Sequence, residues 1–213
     1  MSTVQQRRTL GELREAVRRR VPVQANDTVL TYEVIDEFLN VALRQVSVEH
    51  NWPWLLDTQT VTTASGDGDY DVEVDYLATR TVSENSTDLV LRHKNLRDIL
   101  EYSDSVTGRP TYYVVTAESM KLRPVPDGVY TLTHYFYRME PRLAGDLAKP
   151  LIPFGYDEGV ILYATHLCLL FRGETDRATA TLNSYGKWLD RVADNSAESR
   201  EPRAPRVRPG SAL

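Results

Sequence analysis

The spacing of hydrophobic positions changes character twice along this chain. Near the start, Leu10, Leu13, Ala16 and Val17 recur at helical intervals. Thr9 and Glu12 stand at the positions of a capping box, in which hydroxyl and carboxylate each satisfy an amide of the first turn. Arg18, Arg19 and Arg20 fall in the last turn, where cations suit the helix dipole, and Val21-Pro22 stops the run. A second helix is expected over residues 31–49, because Val34, Ile35, Phe38, Leu39, Ala42 and Val46 share one face and Thr31 can cap it. The polar loop 24–28 between them predicts an antiparallel pair. His50-Asn51-Trp52-Pro53-Trp54 ends this unit, since a residue before proline avoids helical dihedrals. The two tryptophans read as a plug in the core rather than as a platform for stacked bases.

From residue 55 to about 138 the period becomes two. The strongest strand is 129–138, with Tyr130, Leu132, His134 and Phe136 on one face and Val129, Thr131, Thr133, Tyr135 and Tyr137 on the other. Tyr135 and Tyr137 either pack within the sheet or meet a neighbour. Two shorter runs, 111–116 and 120–123, precede it, and Pro124, Pro126, Asp127 and Gly128 supply the bend. Around Val61 lies another strand, followed by a turn at Gly66-Asp67-Gly68. Next, Asp69, Asp71, Glu73 and Asp75 alternate with Tyr70, Val72, Val74 and Tyr76, which predicts a strand with one acidic and one apolar face. Further strands are expected at 77–82 and 89–93, split by the loop 83–88, and Asn95 can cap a helical turn over 96–102. Six or seven short strands at turn-punctuated intervals suit a small antiparallel sandwich or barrel.

Helical spacing returns after Pro153. Residues 156–172 are apolar almost all round, which implies burial against several neighbours, and Gly173 ends the run. A last amphipathic helix over 174–192 turns Ala178, Leu182, Tyr185, Leu189 and Val192 inward, with Trp188 beside them. Beyond Asn195, prolines and arginines dominate and little apolar surface remains to offset the entropy of ordering. The expected organisation is therefore α+β: a helical bundle of N- and C-terminal helices, an inserted antiparallel β-sandwich or barrel-like domain, and an extended C-terminal tail. The boundaries fall at 1–54, 55–141, 142–194 and 195–213.

Charge adds something the pattern does not show. The net charge is −5, yet residues 1–20 carry +4 and residues 195–213 carry +2, leaving −11 on the body between them. Basic ends on an acidic body point to acidic partners, protein or nucleic acid, or simply to solvated termini. No apolar run is long enough to span a membrane, and no apolar core follows the first arginines as in a secretory signal. A lone cysteine, Cys168, excludes an internal disulfide and a cysteine-based zinc site. His166 and Cys168 point to different sides of a helix, and His50, His93 and His134 have no partner at metal spacing. The acidic run faintly resembles a calcium loop, but Val72 stands where that loop needs glycine. No phosphate-binding glycine loop or nucleophile elbow is present. Neither catalysis nor a cofactor is expected.

The succession of elements resembles the head-to-tail adaptor proteins of tailed bacteriophages, the connector class that includes podoviral tail tubular proteins. The resemblance rests on the first helix (residues 9–21), N-W-P-W-L at 51–55, G-R-P-T-Y-Y at 108–113, L-R-P-V-P-D-G at 122–128, the strand 130–137, and L-I-P-F with the apolar helix at 151–170. It implies a structural virion protein at the head–tail interface, assembled in the host cytoplasm as a homo-oligomeric ring of about twelve copies. That ring would join the portal protein to a downstream tail or head-completion protein and let genomic DNA pass without sequence-specific binding. By position, Arg200, Arg203, Arg206 and Arg208 in the tail would dock on the portal, and Asp69, Asp71, Glu73 and Asp75 are candidates to line the lumen. Two other readings remain: a DNA-binding module using the arginine-rich ends, and a metal-dependent enzyme using the acidic strand.

Overall fold

The computed structural model describes residues 7–21, 29–87, 89–116 and 119–195. The tail arginines and the loop 24–28 lie outside these residues. Helix α1 (Leu10–Arg18) begins with the expected capping box: the Thr9 hydroxyl accepts from the Glu12 amide at 3.2 Å, and the Glu12 carboxylate accepts from the Thr9 amide at 2.8 Å. Helix α2 (Tyr32–Glu49) follows, capped by the Thr31 hydroxyl, and a single turn at Pro53–Leu55 leads out of it. The β-rich middle holds β1 (Leu56–Thr62), β2 (Asp69–Asp71), β3 (Tyr76–Glu84), β4 (Leu89–Val90) and β5 (Arg92–His93). After the short helix α3 (Leu96–Leu100) come β6 (Tyr112–Val115), β7 (Ser119–Arg123) and β8 (Thr131–Arg138). Helices α4 (Glu158–Phe171) and α5 (Thr175–Asn195) complete the described chain. Mixed helix and antiparallel sheet make the fold α+β.

The strands form two four-stranded sheets, ordered β1-β8-β3-β4 and β2-β7-β6-β5. All pairings are antiparallel except β5 with β6. Val61, Val82 and Leu132 from the first sheet share an apolar cluster with Tyr113, Met120 and Leu122 from the second. Leu91 sits in that cluster between β4 and β5, its amide bonded to the Val82 carbonyl, while the next amide, of Arg92, bonds to the Thr111 carbonyl. One continuous segment thus edges both sheets.

A larger cluster gathers α1, α2, α4 and α5 around Trp52, Leu55, Leu143 and Ile152. Helix α4 is buried along most of its length, as its nearly uniform apolarity requires. At its first turn Gly159 admits the neighbouring helix: a Cβ there would lie 2.3 Å from the Trp188 ring. Strand β8 serves both clusters, since Leu132 belongs to the sheet cluster and Tyr137 to the helical one. Of the two alternatives for the tyrosines, Tyr137 packs, at 4% exposure and in the helical cluster, whereas Tyr135 is half-buried.

Two expectations fail. The alternating run of acids is a strand only through Asp71. Asp71 pairs with Ser119, the first residue of β7, so no ladder continues beyond it, and the chain turns at Glu73 to enter β3. Glu73 and Asp75 consequently share no strand face with Asp69 and Asp71, and Val74, assigned to the apolar face, is fully exposed. Leu182 is also exposed, because α5 packs chiefly on α4 and a single neighbour covers a narrower stripe than the sequence suggests.

Helix α1 is held by one buried cation. Arg14 donates to both carboxylate oxygens of Asp36 at 2.7 and 2.6 Å and to Asp146 at 2.7 Å, tying α1 to α2 and to the loop before α4. These carboxylates raise its pKa further. Replacing Arg14 with Met should cost about 2 kcal/mol, less than a fully enclosed pair because Asp146 is open to water. Urea unfolding of Arg14→Met against the wild type measures it, and a loss below about 0.5 kcal/mol would contradict a bridging role.

Candidate assembly surfaces

The arginines that end α1 point into the protein's own carboxylates. Arg18 bonds to Glu15 at 3.0 Å and to the Tyr32 hydroxyl at 2.7 Å, with its guanidinium 4.9 Å from the centre of the Tyr32 ring. Arg20 forms a two-pronged pair with Glu158 at 2.8 and 2.9 Å. Among the described residues only Arg19 of the three lacks such a partner. A guanidinium already matched to a carboxylate has little left for phosphate, so this helix end is a docking point for α4 rather than a nucleic-acid site.

Near the first turn of α1, Arg7, Arg8, Arg19, Leu147 and Phe154 line an open cleft of about 560 Å³. Arg8 lies 5.0 Å from the Phe154 ring centre and 3.3 Å from Asp157, so it is spent on the wall of the cleft. A second cleft, about 360 Å³, opens between β3 and β6 and includes Arg80, His93 and Tyr113. The histidines serve packing. His50 meets Trp52 edge-on, His93 meets Tyr113, and the Nε2 of His134 lies 3.0 Å from the Thr79 hydroxyl. His166 Nδ1 is 2.9 Å from the Ala178 carbonyl, which links α4 to α5. Burial pushes the Cys168 thiol up to about 12, far from a reactive thiolate. Among the described residues no group of three His, Cys, Asp or Glu is placed to hold a metal ion. No described helix is long and apolar enough to cross a membrane.

The acidic residues split into two settings. Asp69 faces Lys121 across the β2–β7 ladder with a 2.6 Å ion pair. Asp75 lies 3.9 Å from Arg138, which also holds Asp57 at 2.9 Å. The carboxylates of Asp71 and Glu73 are exposed and make no ion pair among the described residues. Opposite them, at the far edge of the same sheet, Arg92 and His93 form β5, Lys94 lies 5.3 Å from the centre of the Tyr112 ring, and Arg97 follows on α3. From sequence alone this run is expected only as a strand and a helical turn. The signal was there, because residues 89–97 contain three basic side chains and His93 with no carboxylate, on a body that is otherwise acidic.

Between the helices and the sheets, the segment after β8 is clamped by α2. Asn40 donates to the Leu143 carbonyl at 3.2 Å and accepts from its amide at 2.7 Å. The Ser47 hydroxyl accepts from the Glu140 amide at 3.2 Å, and the Glu140 carboxylate accepts from the Leu151 amide. Trp52 lies above this clamp, stacked on Trp54 at 4.7 Å, and Trp54 in turn touches Tyr156.

The sequence model of the SU10 adaptor protein family matches residues 8–209. The chain belongs to that family. It is a phage head-to-tail adaptor, a structural component of the virion. No curated protein matches it significantly. Membership agrees with the expectation of a non-catalytic role, and the adaptor's match runs through the whole described region and on through Arg200, Arg203, Arg206 and Arg208.

Proposed function

We propose that this adaptor assembles as a ring of about twelve copies that joins the portal to the next tail or head-completion protein and leaves a channel for the genome. The observation that carries the reading is the family match from residue 8 to residue 209, which takes in the helices, both sheets and the arginine tail together. The parts divide the labour. Residues 1–54 and 142–194 form the helical bundle that builds the ring, residues 55–141 form a sandwich-like domain that projects toward the next component, and residues 195–213 reach the portal. Twofold support comes from charge. An acidic body repels phosphate, so DNA slides through the channel without sticking. Competing use of the N-terminal arginines for DNA is disfavoured by the carboxylate partners of Arg14, Arg18 and Arg20.

Arg200, Arg203, Arg206 and Arg208 are the proposed portal-docking residues. Each contributes a modest, salt-sensitive contact, and repetition around a ring multiplies it. A chain ending at Asn195 should melt within about 2 °C of full length, because the helical cluster lies wholly before that point. Its retention on purified portal protein should fall by about tenfold or more. Equal retention of the truncated and full-length chains in a portal pull-down would overturn the docking role.

A further inference from the structure

We propose that neighbouring copies in the ring meet edge to edge through the β2-β7-β6-β5 sheet, the basic β5 edge of one copy lying against the acidic β2 edge of the next. The proposal rests on the ring reading and adds, to the contact between helical bundles, a second one between the β-rich parts of neighbouring copies. The two edges belong to one sheet and are separated by three strand spacings, roughly 14 Å, so they face in opposite directions. One edge carries Arg92 and Lys94, with Arg97 beyond them paired to Glu101 at 3.4 Å, and the other carries Asp71 and Glu73 beside Asp69, which is paired to Lys121. Arg92 makes no ion pair among the described residues, and neither do Asp71 and Glu73, so charges of opposite sign stand open on opposite sides.

The edges are also level. Asp69 pairs with Lys121, and Lys121 pairs with Val114. Lys94 donates its amide to the Tyr113 carbonyl, the residue before Val114, so Lys94 and Asp69 lie at the same height on the two sides. A neighbour brought alongside by rotation about a ring axis would present one to the other. Each edge adds an exposed apolar residue that contact would cover, Val90 at 59% exposure beside β5 and Val74 beyond β2. Two different surfaces meeting make a heterologous contact, which propagates instead of stopping at a twofold dimer and closes into a ring when the rotation between copies divides a full turn. Like charges would oppose the flipped arrangement, acidic edge on acidic edge, and so enforce the head-to-tail sense.

Complementary charge reversal tests this. One full-length variant carries Arg92→Glu with Lys94→Glu, so both of its edges are acidic. A second carries Asp71→Lys with Glu73→Lys, so both are basic. All four side chains are at the surface or half-buried, and circular dichroism checks that each variant keeps the fold. Ring formation is read by sedimentation velocity and negative-stain imaging, with the chain alone and on the portal protein of the same phage. Each variant alone should lose ring formation by about tenfold or more, and an equimolar mixture should restore it as alternating copies. Wild-type rings accompanied by equally abundant rings of either single variant would overturn the edge contact and leave the ring reading standing. Natively folded variants whose mixture fails to assemble would overturn it as well. No ring from the wild type, alone or on portal, would remove the ring reading and the edge contact with it.

Discussion

Replacing Trp52 with Ala should destabilise the adaptor by about 4 kcal/mol, the largest single loss expected in this chain. The indole is fully buried and stacked on Trp54 at an interplanar angle of 12°. It also lies 4.8 Å from His50 and 6.1 Å from Trp188, ring centre to ring centre, and its N–H donates to the Val46 carbonyl at 2.6 Å. Truncation removes all of these contacts at the one point where α2, α5 and the entry to β1 converge. Because α4 and α5 are themselves held close by Gly159 against Trp188, the walls cannot collapse inward to fill the void. For a chain of this length the melting temperature should drop by about 12 °C. Trp54→Ala, which removes the half-exposed ring, should cost about one third as much. Equal losses for the two variants in thermal melts would show that burial at Trp52 does not set the stability of the junction.

The second large effect is a pH dependence that two buried groups hide from each other. His134 has no solvent exposure, and burial lowers its pKa to about 4. Its unfolded value is near 6.5, so between pH 4 and 6.5 the unfolded chain binds the extra proton and stability rises with pH. Burial raises the Glu140 carboxyl to about 7, against which the Leu151 amide and the cations Arg138 and Arg7 work only in part. From its unfolded value of 4.5 up to about 7 the folded chain holds the extra proton, and stability falls as pH rises. Each contribution reaches at most about 3 kcal/mol. They oppose each other between pH 4.5 and 6.5, so the wild type should be nearly flat there. Glu140→Gln keeps an acceptor for Leu151 and removes the charge. Its stability should climb by up to about 3 kcal/mol from pH 4.5 to 6.5 and exceed the wild type at pH 8 by a similar amount. Urea unfolding at half-unit pH steps measures both curves; parallel curves for variant and wild type would refute the compensation. Below pH 4.5 Glu84 adds acid sensitivity, because the Ser86 and Thr87 hydroxyls, with Arg109, hold its carboxylate down to about 2.

Local chemistry was the legible part of the sequence. Thr9 with Glu12, Thr31, Asn95, and the apolar periods of α1 and α2 each depend on neighbours within a turn, and each appears where expected. Strand β8 was visible for the same reason. What could not be seen depended on partners distant in the chain. The acidic run alternates as a strand should, but a strand continues only while another lies beside it, and β7 begins at Ser119. Tyr137 alternates with Phe136 as a surface residue would, yet the helices roof that face of β8. The basic β5 edge was legible as charge but not as an edge, because strand order is absent from local pattern. Among the proposed site residues, Asp69, Asp71, Glu73 and Asp75 were found as a group in sequence and are divided in space, while the tail arginines lie outside the described residues.

Strand β8 is paired along seven positions with β1 on one side and seven with β3 on the other, while Tyr137 roots its end in the helical cluster. Tension between the helical and β-rich parts therefore runs along the axis of β8, perpendicular to the hydrogen bonds on both of its flanks. Under that loading β1, rooted in the same cluster through Leu55, moves with β8, and the β8–β3 ladder is sheared so that its bonds yield together rather than one at a time. In the proposed arrangement, with the sheets toward the next component, the head–tail joint is loaded along this strand, which makes the link stiff where it is pulled.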